Sequence, residues 1–291
     1  MYLEIFTVIA PIFICVLLGF SWARLGYPYE QQFVSNLVSS VGAPCLIVGT
    51  LSKVGLSTTY FNEIVVSTVM VLSLSALIAA VGLRIFGLSI RAYLAPLVFP
   101  NTGNIGLPLC LFAFGEEGLA MGIGIFLLMA FSHFSVGIAV VSGTQSLNKL
   151  IRSPIILSAL FAISLVYTQT QLPDWLTNTL TMLGNMSIPL MLITLGVSLD
   201  HLKVKSFFLS TYLAVGRLLI GVGIGLLVCN LLELEGALRG AVIIQSAMPA
   251  AVFNYLIAQR FDRAPEVVAG MVVMSTVIGF LTLPLLLLLV L

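Results

Sequence analysis

Long apolar stretches alternate with short polar punctuation along the whole chain. Apolar runs of about 20 residues, the length a helix needs to cross a bilayer, recur near 3–23, 33–52, 61–83, 92–114, 118–142, 154–171, 178–199, 206–229, 237–259 and 265–290. Backbone polar groups in lipid must be satisfied within their own segment, so runs this long predict helices. A transmembrane barrel would show shorter segments of alternating polarity. The loops between runs leave no room for a soluble domain. The expected fold is an all-α polytopic membrane protein with ten transmembrane helices. The first run begins close to Met1 without a basic segment, and its length predicts a span rather than a cleaved signal.

One run interrupts its own pattern. "LVFPNTGNIGLPLCLF", Leu97 to Phe112, holds two prolines, two glycines, two asparagines and a threonine in the middle of span 4. A second interruption, "QSAMPAA" at 245–251, falls in span 9. Proline inside a span is costly unless the freed backbone finds partners.

The prolines also recur in order. Pro11 pairs with Pro154 (143 apart), Pro28 with Pro173 (145), Pro44 with Pro189 (145) and Pro100 with Pro249 (149). This predicts two repeats of five helices, residues 1–142 and 154–291, joined by a cytoplasmic connection at 143–153. Five is odd, so the second repeat enters the membrane from the opposite side. Such an inverted 5+5 repeat is a mark of many secondary transporters. Spans 4 and 9 occupy corresponding places and are expected to cross near mid-membrane as broken helices.

Composition excludes the soluble alternative. Of 291 residues 60% are hydrophobic and only 8% charged, with a mean hydropathy of +1.17. A soluble domain is about one quarter charged. The net charge of +1 and the scattered basic residues argue against a nucleic-acid partner. Lys and Arg set the expected orientation. With the N-terminus outside, Arg24, Arg84, Arg91, Lys149, Arg152, Lys203, Lys205, Arg260 and Arg263 lie inside and only Lys53 and Arg239 outside. Both termini are therefore expected outside the cytoplasm, with the chain in the cell membrane. The four cysteines sit in apolar runs without metal-ligand spacing, so neither a disulfide nor a metal is assigned.

The two broken helices define the candidate site. The start of each second half-helix exposes free N–H groups and carries roughly half a positive charge. Two such ends make an anion site without Lys or Arg. Asn101, Thr102 and Asn104 add side-chain donors beside Pro100, while Gly103 and Gly106 permit unusual dihedrals and close backbone approach. Gln245, Ser246, Pro249 and Ala250 are the candidate lining from span 9. Asn254 and Asn185 are weaker candidates. His133 lies mid-span and is a functional candidate by depth, though a hydrogen-bonded packing role is the favoured reading. Arg217, the one permanent charge deep in a span, is read as a tie to backbone carbonyls or span ends. "GVGIG" at 221–225 is read as helix packing. His133 and His201 share no metal spacing, and no nucleophile motif is present, so an enzyme is not expected and no catalytic residue or cofactor is assigned.

Three stretches resemble one family. "PNTGNIGLPL" at 100–109, "SIPLMLITLGVSL" at 187–199 and "QSAMPAAVFNYLIAQRFDRAPEVVAGMVVMSTVIGFLTLP" at 245–284 are similar to the span-4, span-7 and C-terminal patterns of the auxin efflux carrier family. The chain looks like a short, prokaryote-type member lacking a long cytoplasmic loop. The resemblance implies a fold shared with bile acid–sodium symporters. Spans 1, 2, 6 and 7 would form a scaffold, and spans 3–5 and 8–10 a transport domain that moves like an elevator. It also implies that Asn101 contacts a substrate carboxylate, that the substrate is a small organic anion, and that the protein forms a homodimer through the scaffold. The competing readings are a sodium-coupled symporter of the same fold and a transport-inactive membrane sensor or receptor.

Overall fold

Apolar sequence with internal backbone pairing gives helices throughout. The computed structural model describes residues 2–54, 58–143, 154–168, 170, 172–202 and 206–291, and among them no strand occurs beyond one isolated bridge. The helices are α1 (Tyr2–Arg24), α2 (Gln31–Leu37), α3 (Ala43–Val54), α4 (Thr58–Ile85), α5 (Ile90–Val98), α6 (Leu107–Ser132), α7 (Ile138–Ser142), α8 (Pro154–Thr168), α9 (Asp174–Asn185), α10 (Ser187–His201), α11 (Phe207–Leu231), α12 (Gly236–Ala247), α13 (Val252–Arg260) and α14 (Pro265–Val290). Short π-helical turns at Val38–Gly42, Thr102–Gly106 and His133–Gly137 link α2 to α3, lead into α6, and link α6 to α7. The connection at 144–153, with Lys149 and Arg152, and the pair Lys203 and Lys205 lie outside the described residues.

Seven stretches of the described residues are long and apolar enough to cross a membrane. One of them, Thr102–Ser142, is 41 residues long and is not one rod. Gly115 adopts φ 64 and ψ −154 inside it, a backbone state that glycine enters without steric cost. A methyl on Gly122 would stand 3.1 Å from the sulfur of Cys110, whereas in a straight helix these residues would be about 18 Å apart. The chain therefore doubles back at Gly115, where the sequence places a loop. The stretches expected at 92–114 and 237–259 are each split in two, and so fall below the length of a continuous span.

Small residues set the closest helix contacts, as they do where lipid removes the hydrophobic drive between helices. α1 packs along α10 through a reciprocal pair. A methyl on Gly19 would collide with the carbonyl of Ile193, and one on Gly196 with the carbonyl of Val16. Gly184 brings α9 against the backbone of Leu46 in α3. α11 packs on α12 and α14, and α12 on α6. Gly221 and Gly225 of α11 lie against Ser246, while Gly223 has open space around it, so two of the three glycines in "GVGIG" serve packing. The outer faces are apolar: Phe6 is 66% exposed, Leu77 61% and Leu281 76%. Such a surface suits lipid, not water.

Candidate functional site

Both interruptions form at a proline, for the same reason. A residue before proline is pushed out of the α region. Phe99, before Pro100, takes φ −97 and ψ 105, ending α5; Met248, before Pro249, takes φ −62 and ψ 150, ending α12. The two extended segments then pair. Pro100 and Ala250 form an antiparallel bridge. Asn101 N–H donates to Pro249 O at 2.7 Å, and Ala251 N–H to Phe99 O at 3.3 Å. Ala250 N–H turns to Ser275 Oγ of α14 at 3.1 Å, and Pro100 has no N–H to satisfy. The break thus meets the demand that buried backbone be paired.

Asn101 sits at this junction and is 5% exposed. Its Oδ1 accepts from Asn104 N–H at 3.3 Å, capping the helical stretch that starts at Thr102 and satisfying one orphan donor. Its Nδ2 is buried without a partner. Thr102 is buried beside it. The N-terminus of α13, at Val252, follows directly after the second break. Two helix N-termini, with their positive dipole ends, therefore leave the same short bridge.

The neighbouring glycines work by closeness, not by dihedral. Gly103 and Gly106 lie in the helical π-turn, and neither has a positive φ, which corrects the expectation of unusual backbone there. A methyl on Gly103 would come within 3.2 Å of the Phe126 ring, and one on Gly106 would collide with Gln245 Oε1. Gln245 is fully buried. Its Nε2 donates to Gly122 O at 3.2 Å, and its Oε1 meets no donor.

Arg217 of α11 is 1% exposed. Its Nη1 donates to Leu97 O at 3.0 Å and its Nη2 to Ser246 O at 2.6 Å. The Ser246 hydroxyl is spent on Ile243 O at 3.0 Å. On the other flank, Asn254 Nδ2 donates to Phe99 O at 3.1 Å. The His133 ring stacks on the Phe99 ring, with centroids 4.4 Å apart, and Asn254 lies within side-chain reach of it. His133 Nε2 and Asn254 Oδ1 have no partner that meets hydrogen-bond geometry. Asn185 ends α9, is exposed, and makes no hydrogen bond to either break among the described residues.

Sequence reading passed over three contributors: the Phe99 carbonyl, the Ser275 hydroxyl and Gly279, on which a methyl would approach Pro249 to 2.8 Å. A polar–small pattern, "STVIG" at 275–279, was the available signal. Beside Pro249 runs an apolar cleft of about 140 Å³, lined by Ile105, Leu218, Val222, Met248, Phe280 and Leu283 among others. A separate polar cleft of about 420 Å³ gathers Glu63, Glu117, Glu233 and Glu235.

Interrupted helices that meet inside an apolar-surfaced bundle are a feature that many membrane transporters share. Residues 138–287, just over half of the chain, match the family of membrane transport proteins. The chain belongs to that family, to which the auxin efflux carriers also belong. Over 298 residues it is 24% identical to an uncharacterized transporter of Methanocaldococcus jannaschii, covering 96% of each chain. It is 25% identical over 301 residues to an uncharacterized transporter of Methanothermobacter thermautotrophicus, covering 95% of each. It is a multi-pass membrane transporter and not an enzyme.

Proposed function

We propose that this protein is a secondary transporter for a small organic anion, a carboxylate, held where the two broken helices meet. The observation that carries the reading is the Nδ2 of Asn101: a buried donor without a partner, at the head of one half-helix and bonded by its backbone to the other break. A carboxylate supplies the acceptor that Nδ2 lacks, and the two helix N-termini favour its charge. Pro100, Asn101, Thr102, Gly103 and Asn104 on one side, and Gln245, Ser246, Pro249 and Ala250 on the other, are the proposed lining. His133, Asn185, Arg217 and Asn254 are proposed as support or coupling groups.

In this reading the chain is an inverted 5+5 repeat of ten spans, with both termini outside. α1 to α3 and α8 to α10 form the scaffold and the homodimer contact. The remaining helices carry the site across the cell membrane in an elevator-like movement. The packing of α1 on α10 and of α3 on α8 and α9 supports that division, as do the matched prolines at the two breaks. A second reading, coupling to sodium, is favoured by Gln245 Oε1 and Asn254 Oδ1, buried acceptors without donors.

A thermal-unfolding screen of the purified protein in detergent tests the reading, with mono- and dicarboxylates present, with and without Na⁺, repeated on Asn101→Ala. A ligand at 100 times its dissociation constant adds about 2.7 kcal/mol. Stabilisation of the wild type but not the variant by a carboxylate is the expected result, and a Na⁺ requirement would favour the second reading. Absence of stabilisation by every carboxylate at any salt contradicts the anion assignment.

A further inference from the structure

We infer that Arg217 sets the charge of the cargo at minus one without touching it. The inference rests on the carrier reading above and concerns the electrostatics of the same junction. Breaking two helices creates four helix ends. Two are C-termini, each carrying roughly half a negative charge, and two are N-termini, each carrying roughly half a positive one. Left alone, the four ends sum to nothing, and the two negative ends offset part of what the two N-termini offer an anion.

Arg217 removes one half of that set. Leu97 lies in the last turn of α5 and Ser246 in the last turn of α12. The guanidinium donates to both carbonyls, at 3.0 and 2.6 Å, so a single cation caps both C-termini. No carboxylate shares this task. Among the described side chains Arg217 is the only Lys, Arg, Asp or Glu in the buried set, and four of the carboxylates line the separate polar cleft. The cation is thus matched by two C-terminal ends of about half a charge each.

What remains are the two N-termini, at Thr102 and Val252, with a combined charge of about plus one. Both open helices longer than two turns, Thr102 to Phe114 and Val252 to Arg260. Asn101 adds an independent sign of a ligand there, since its Nδ2 is 95% buried by residue exposure and unpartnered. One carboxylate neutralises this residue of charge. A second carboxylate on the same cargo would stand in a low-dielectric site with no counter-charge. A neutral cargo would leave the N-termini unmatched. The site therefore selects monoanions over dianions and over neutral isosteres.

Two matched series test this: butyrate, butyramide and succinate, and benzoate, benzamide and phthalate, at pH 8, where the acids are ionised. Affinities come from ligand-dependent thermal unfolding of the wild type, Arg217→Lys and Arg217→Gln. In at least one series the wild type should bind the monoanion about tenfold or more tightly than either companion. Arg217→Lys keeps the charge and should keep that order, even at lower stability. Arg217→Gln removes it, and the preference for the monoanion over its amide should collapse. A merely structural Arg217 would lower stability in both variants without changing the order. The wild-type series needs no variant to fold. Equal or tighter binding of the dianions to wild type overturns the inference while leaving the carrier reading standing, as does an unchanged charge order in Arg217→Gln. If neither series binds the wild type, this inference is overturned, and the organic-anion reading fails with it only when no carboxylate of the wider screen stabilises the protein either.

Discussion

The side-chain amide of Asn254 donates to the carbonyl of Phe99 at 3.1 Å, across 155 residues of chain. The same carbonyl accepts Ala251 N–H, so the first break is held by two donors from the second. The junction is a bonded unit, and each partner in it has a predictable weight.

Asn254→Leu keeps the branched outline, with larger end groups, and deletes the donor. A net intramolecular hydrogen bond is worth about 1 kcal/mol, and Phe99 O retains its backbone donor. The variant should unfold about 1 kcal/mol more easily and keep the cargo's charge order, because no charge is lost. Thermal unfolding in detergent, with and without cargo, measures both. Unaltered stability would mean that the Phe99–Asn254 bond contributes nothing to the junction.

The glycines of "GVGIG" separate packing from propensity. A methyl on Gly221 would collide with the Ser246 carbonyl, the one that Arg217 holds, while Gly223 has nothing within 4 Å. Gly221→Ala should therefore lose several kcal/mol of stability or fail to accumulate. Gly223→Ala should be neutral or gain up to about 1 kcal/mol from helix propensity. Membrane abundance and thermal unfolding of the two variants provide the check, and equal behaviour would refute this placement of α11 against α12.

His133→Gln tests whether the buried imidazole carries protons. The ring stacks on Phe99, and Gln places an amide donor near Asn254 but cannot titrate. If the histidine only packs, uptake should stay within about threefold of wild type with the same dependence on external pH. Loss of uptake with intact binding would make His133 a proton-coupling group.

Much of this site was readable because membrane sequence is monotonous. Pro100, Asn101 and Pro249 stand out against apolar neighbours, and α5 and α12 stop just before Pro100 and Pro249, although Pro96 lies inside α5 without ending it. The gap left at 115–117 between spans 4 and 5 held the reversal, though Gly115 itself was not singled out. Partner choice was not readable. That Arg217 reaches carbonyls 120 and 29 residues away, or that Ser275 takes the Ala250 N–H, depends on how helices pack, and nothing local in the sequence encodes it. The π-turns at 38–42, 102–106 and 133–137 were equally hidden, since one inserted residue barely changes a hydrophobic period. Gly103 and Gly106 were misjudged in part because a glycine needed for space and one needed for dihedral freedom look alike in sequence.

The central claim is that Asn101 holds the cargo where the breaks meet. The most direct test is uptake of the stabilising carboxylate into proteoliposomes, wild type against Asn101→Ala at equal protein content. Loss of the cap to Asn104 costs only about 0.5–2 kcal/mol, so the variant should fold. Saturable wild-type uptake, reduced about tenfold or more in the variant by loss of the carboxylate contact, is the predicted result. Wild-type-like uptake by Asn101→Ala would remove Asn101 from the site, and non-saturable flux through the wild type would contradict a carrier altogether.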